Sequence, residues 1–143
     1  MIMEFKYYLD KNLTKKDSPD KGEAEALMNK SIRRLKYSIK TRTIDKDTAE
    51  YIFEDIYECL RESAQSLMSL KGYKPYSHEA LISFLKEFFN FEESDLVIFD
   101  RYRILRNKAV YRGEKISPVL CREALDFLNK FLPKIKLEFE KLI

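Results

Sequence analysis

A chain of 143 residues with 45% hydrophobic and 13% aromatic content can bury one sizeable core, and three glycines and four prolines leave little material for the turns of a many-stranded sheet. The balance of 27 basic and 24 acidic residues, net +3, excludes the uniform positive field of a DNA-coating protein while permitting a nucleic-acid partner. Cys59 and Cys121 lack CxxC spacing and stand with a single histidine, which speaks against a zinc site or a disulfide framework; both read as small buried hydrophobes, with no metal and no cofactor expected.

Residues 1–22 read as an N-terminal segment and linker, and residues 23–143 as one helical domain. The opening "MIMEFKYYLDKNL" is short and amphipathic, with charges inside its apolar run, which is no signal-peptide core. No window approaches the roughly 18 uninterrupted apolar residues of a membrane span, so a cytoplasmic protein without a membrane partner is expected. The polar "KNLTKKDSPDKGE" reads as a loop in which Ser18 can cap a helix and Pro19 can take its first position. From Glu23 to about Lys40, Met28, Ile32, Leu35 and Ile39 recur at 4, 3, 4 spacing along one helical face, with Arg33, Arg34 and Lys36 on its flanks and far side.

In "DKDTAE", Asp47 and Glu50 form a capping-box-like pair before a second helix. Its apolar line is Ala49, Ile52, Ile56, Cys59, Ser63, Leu67 and Leu70, and Gly72 ends it. Ser77 can cap a third, shorter helix with Leu81, Leu85 and Phe88 on its apolar stripe. A fourth carries acids at its start and bases at its end, the polarity that suits the helix dipole, and Gly113 stops it. Its core line is Ile98, Tyr102, Leu105 and Ala109. The fifth opens at Ser117-Pro118 and repeats apolar residues from Cys121 to Leu142, with Pro133 expected to kink it. Short connections make an up-and-down bundle of four to five helices the expected all-α architecture.

Two stretches together resemble the HEPN superfamily of helical nucleotide-binding and RNA-targeting domains. "LKGYKPYSHEALISFLKEF", residues 70–88, is similar to the turn and Ser-His start found between the second and third helices of many members. "FDRYRILRNKAVYRGEKIS", residues 99–117, stands where the family carries its R-N-x-x-x-H signature. Arg106 and Asn107 match the Arg-Asn pair, Tyr111 replaces the histidine, and Gly113 stands where many toxin members have a tyrosine. The resemblance implies an RNA- or nucleotide-binding bundle that dimerises with these helices facing each other. It also implies a toxin-like partner for a minimal nucleotidyltransferase acting as antitoxin, and a metal-independent endoribonuclease activity that the loss of the histidine argues against in full strength.

On that reading Asp100, Arg103, Arg106, Asn107 and Tyr111 are the ligand-binding candidates, and Arg106 and Tyr111 the catalytic pair if the protein cleaves RNA. A guanidinium holds phosphate through two parallel hydrogen bonds and stays charged at any working pH. A phenol titrates near 10, and making Tyr111 a base at neutral pH needs a shift of about three units, or roughly 4 kcal/mol. Arg103, Asn107 and Tyr111 share one helical face with Asp100 a turn earlier, whereas Arg106 and Tyr111 are turned by about 140° on a regular helix. Sharing a ligand then requires a loosened helix end or a second subunit. The alternative is a salt-bridged helix end, Asp100 pairing with Arg103, on a non-catalytic assembly module whose polar stripe seats a protein partner. His78, the one histidine, reads as a turn or packing residue at a helix start, and Phe84, Phe88, Phe89 and Phe91 as core or interface material.

Overall fold

Six α-helices and one short ribbon account for residues 2–143, the part of the chain that the computed structural model describes; Met1, the first letter of the amphipathic opening, lies outside it. In chain order these are α1 (Phe5–Asp10), β1 (Thr14–Lys16), α2 (Lys21–Arg34), α3 (Ala49–Lys71), β2 (Tyr73–Pro75), α4 (His78–Phe88), α5 (Glu93–Arg112) and α6 (Pro118–Leu142). The expected all-α bundle forms, with the short α1 in front of its five longer helices.

α3 is the hub. Its periodic line Ala49, Ile52, Ile56, Cys59, Ser63 and Leu67 is buried, and so are Phe53, Tyr57, Leu60, Ala64 and Met68 beside it. Apolar residues on several faces need several partners, and α2, α6, α4 and α5 all pack against this helix. Each fully buried Leu, Ile or Phe contributes about 1.5–3 kcal/mol. Both cysteines are buried, where desolvation pushes the Cys59 thiol up to about 12 and the Cys121 thiol up to about 11.

Local chemistry sets most boundaries. The side chains of Ser77 and Ser117 accept from the amides of Ala80 and Leu120 at 3.0 and 3.1 Å, and Pro118 opens α6. Gly113 caps α5 at φ 66° and Gly72 caps α3 at φ 81°. At Gly72 a Cβ would also lie 2.6 Å from the carbonyl oxygen of Asp17. Two expected caps are displaced. α2 is capped by Asp20, not Ser18, because the Asp20 carboxylate reaches the Glu23 amide at 2.9 Å. Before α3, Asp45 accepts from the amides of Asp47 and Thr48, a turn that forestalls the Asp47–Glu50 box. α6 continues as helix through Pro133 to Leu142.

Two findings go beyond local pattern. α2 passes into a π-helical turn, Leu35–Ile39, closed by the Lys40 amide on the Leu35 carbonyl at 3.0 Å. The segment read as a linker folds onto the domain: β1 pairs antiparallel with β2, Thr14 opposite Pro75, and Phe5 enters the core against Tyr73, Phe84 and Phe88. Thr14 is buried and its hydroxyl donates to the Lys74 carbonyl at 2.9 Å. That contact spans 60 positions, out of reach of any local pattern.

Candidate functional site

α3, α4 and α5 meet around an open pocket of about 480 Å³. α3 supplies Glu58 and Arg61, α4 supplies His78 and Glu79, and α5 supplies Arg103, Arg106, Asn107 and Tyr111. α5 can serve core and site together because Leu96, Phe99 and Tyr102 anchor it in the bundle. The residues that follow Tyr102 on its flank then face α3 and α4. With His78 neutral, three arginines against two glutamates leave the pocket in positive excess.

The three guanidinium groups are not equivalent. Arg103 is 12% exposed and donates from Nε to Asp100 at 2.7 Å, with Nη1 3.5 Å from Glu79. Asp100 thus holds Arg103 in place and does not line the pocket, so the candidate ligand-binding Asp100 becomes a positioning residue, as the salt-bridged alternative foresaw. Arg61 donates to Glu58 at 2.8 and 2.9 Å and to Gln65 at 2.7 Å. Arg106 is the exception. Its Nη2 is 3.5 Å from Glu58 and its Nη1 3.4 Å from the Asn107 side chain, both at the long limit of a hydrogen bond, and its buried Nε has no partner among the described residues. Its guanidinium carbon sits 5.7 Å from the Tyr57 ring centroid and 6.0 Å from that of Tyr111, so cation–π contact with two rings replaces part of the missing hydrogen bonding.

Arg106 and Tyr111 therefore share one pocket within a single chain. The expected need for a loosened helix or a second subunit is not met: α5 stays α-helical to Arg112, and two long side chains bridge the angular gap. Tyr111 is 76% exposed, which leaves its ring available as a stacking surface.

His78, read from sequence as a turn or packing residue, lines the pocket. Its Nδ1 lies 2.8 Å from the hydroxyl of Tyr57, and the two rings stack at 5.5 Å. Burial pushes the Tyr57 phenol well above its ordinary range, so it keeps its proton. Tyr57 is 0% exposed and, among the described residues, His78 is its hydroxyl's one partner, so its proton is satisfied by donating to Nδ1. Nδ1 is then the acceptor, and the neutral imidazole carries its hydrogen on Nε2. Burial, followed by the charges of Arg106 and Arg61, holds the imidazole below its ordinary value. Burial pushes the Glu58 carboxyl upward, but the Arg61 hydrogen bond and charge, helped by Arg106 and His78, outweigh it and keep the acid below its usual range.

The pocket can hold an anion at Arg106, donate further hydrogen bonds from His78 and Asn107, and stack a planar group on Tyr111. Glu58, Arg61, Tyr57 and Glu79 were not singled out from sequence. A polar line Glu54, Glu58, Arg61, Gln65 at 4, 3, 4 spacing on α3 was the available signal for two of them. Among the described residues no group of three or more His, Cys, Asp and Glu is placed to hold a metal ion, and no helix is long and apolar enough to cross a membrane. No protein-family model, curated protein or solved structure matches the chain.

Proposed function

We propose that this chain is a HEPN-type protein that binds RNA or a nucleotide in the α3–α4–α5 pocket, with weak or absent ribonuclease activity. The observation that carries the reading is Arg106, a guanidinium with one unpartnered donor and two long hydrogen bonds beside an exposed aromatic ring. The two Nη donors, held only by these long bonds, can be given up to an incoming phosphate, which accepts two parallel bonds. Arg61 and Arg103, tied to their own carboxylates, shape the wall and bias its charge.

Binding without efficient cleavage follows from the proton inventory. General-base chemistry on a ribose 2′-hydroxyl needs an open lone pair near neutral pH. His78 carries its proton on Nε2, and its Nδ1 lone pair is taken by Tyr57, so it offers no free base. Tyr111 is a phenol.

The same proposal includes a cytoplasmic location, a homodimer, and a role as the toxin-like partner of a minimal nucleotidyltransferase. Support for self-association comes from α5, where Val97, Ile104 and Tyr111, seven residues apart on one face, are 62%, 41% and 76% exposed. That stripe also favours the second reading, a non-catalytic assembly module that seats a protein partner.

Titration of a fluorescent RNA oligonucleotide into wild type and Arg106→Ala, with sedimentation of both, separates the two. A binder loses affinity in the variant and keeps its oligomeric state. Unchanged RNA affinity removes the leading reading, and RNA affinity no greater than that for a charge-matched polyanion favours the assembly module. Incubation of RNA with wild type, Tyr111→Phe and Arg106→Ala tests cleavage, and equal cleavage by all three points to another site or a contaminant.

A further inference from the structure

The longest stretch of the chain without an acidic residue lies outside the pocket. From Ala26 to Ile44 there is no acidic residue, while Lys30, Arg33, Arg34, Lys36, Lys40 and Arg42 contribute six positive charges. The whole chain is net +3, so everything outside this stretch is net negative.

Half of this charge is used internally. Arg34 and Arg42 pair with Asp55, Arg34 also pairs with Glu62, and Lys30 approaches Glu62 at 3.6 Å. Arg33, Lys36 and Lys40 are exposed and pair with no carboxylate among the described residues. They fall at steps of three and four around Tyr37, which is 62% exposed, with the Lys36 ammonium 5.2 Å from its ring centroid. A shallow groove of about 350 Å³ runs beside the ring, between Lys30, Arg33 and Ser38. The π-helical turn Leu35–Ile39 falls within this surface, and such turns are frequent at functional sites.

The groove and the pocket are both tied to α3. α3 holds Arg34 through Glu62 and Arg106 through Glu58, residues one helical turn apart. Arg34, which lines the groove, and Arg106, which lines the pocket, are therefore held from adjacent positions on one face of α3.

We propose that the strip Arg33, Lys36, Tyr37 and Lys40 on α2 binds the backbone of single-stranded RNA, with Tyr37 as a stacking platform, and leads the strand toward the α3–α4–α5 pocket. Unpaired cations track phosphates, and an exposed ring among them stacks bases of any sequence, the combination that single-strand binders use. A double helix offers no unstacked base to Tyr37. The inference rests on the reading of the pocket as an RNA or nucleotide site and narrows its ligand to a strand.

The test is the triple variant Arg33→Gln, Lys36→Gln, Lys40→Gln, titrated with a labelled oligouridylate of 12 nucleotides and, separately, with uridine monophosphate. The substituted residues are exposed, and thermal unfolding checks that the fold persists. The expected result is a loss of oligonucleotide affinity of about tenfold or more, and a shallower dependence on salt by about 2 in log–log slope, from about 0.7 per phosphate contact. Monophosphate affinity should be unchanged. Tyr37→Ala should weaken the oligonucleotide about fivefold or more and leave the salt slope alone. Equal oligonucleotide affinity and slope in the triple variant and wild type would overturn the inference, as would heparin binding as tightly as RNA with no response to Tyr37→Ala. Arg106→Ala separates this from the pocket reading: loss there with no loss in the triple variant sinks the strip alone, and the reverse sinks the pocket alone.

Discussion

Two arginines meet α3 one helical turn apart, and their surroundings are opposite. Arg34, from α2, makes two bonds of 2.9 and 3.1 Å to the carboxylate of Glu62 and one of 2.9 Å to Asp55. The Glu62 hydrogen bonds hold its guanidinium above its ordinary range. Arg106, from α5, finds Glu58 only at 3.5 Å and leaves Nε without a partner. Glu58 is already engaged by Arg61 at 2.8 Å, which explains the difference: on one side a carboxylate is dedicated to one arginine, on the other it is shared by two. Saturated donors mark an arginine that holds the fold, and unsaturated donors in a pocket mark one that receives something else.

Breaking the saturated side should have the largest effect. Arg34→Ala leaves Glu62, 1% exposed, without its principal partner, and should cost about 3–5 kcal/mol in urea unfolding. Lys30, itself 59% exposed and 3.6 Å away, replaces little of that. A loss below about 1 kcal/mol would erase the contrast. Arg106→Ala should do the reverse, changing stability by less than about 1 kcal/mol because losing two long bonds and two cation–π contacts is offset by removing the unpartnered buried Nε, while lowering RNA affinity tenfold or more. Equal stability losses in the two variants would show that both arginines are structural.

A smaller effect concerns pH. The His78 imidazole titrates lower in the folded chain than in the unfolded one, so as pH falls below about 6.5 the unfolded chain takes up the proton first. Stability should therefore fall with pH in that range more steeply in wild type than in His78→Gln, and parallel curves from denaturation at several pH values would contradict the burial and charge argument. The smallest change expected is Tyr111→Phe. It keeps the stacking ring, so RNA affinity should stay within about twofold and stability within about 0.5 kcal/mol. Tyr111→Ala should weaken binding several-fold more than Tyr111→Phe, and equality of the two would remove the stacking role.

The helices were legible where the information is local. Ser77, Gly72, Gly113 and Ser117-Pro118 mark ends because a cap acts within a few residues, and the line from Ala49 to Leu67 marks α3 because burial follows the helical repeat. Ser18 and Asp20 are both cap formers standing close together, and only backbone geometry decides for Asp20. For the site, the stretch around Arg103, Arg106, Asn107 and Tyr111 was legible on α5, but Glu58 and Arg61 belong to a helix face that reads as solvated until α4 and α5 are set against it. His78 stands at a helix start and packs on a ring, as read from sequence, but its hydrogen bond was out of reach. Its partner is Tyr57, 21 positions earlier, and no spacing along the chain encodes that bond. Arg34 read as a flanking surface charge because its counterpart Glu62 lies 28 positions away.

The ribbon between β1 and β2 bears on how the pocket assembles. α4 begins at His78, three residues past β2, and the ribbon is extended toward it by the Tyr76 amide on the Leu13 carbonyl at 2.9 Å. α1 and the residues before it brace the same helix: the Ser83 hydroxyl donates to the Met3 carbonyl at 2.8 Å, and Tyr8 reaches Glu79 at 3.5 Å. Closing a loop of about sixty residues carries an entropy cost that neighbouring helices do not meet, so the α2–α3 hairpin is expected to form first and the His78 wall afterwards. In refolding, far-UV circular dichroism should then recover ahead of any signal from the pocket, and shortening the chain from its first residue should slow or loosen a site whose residues all remain present.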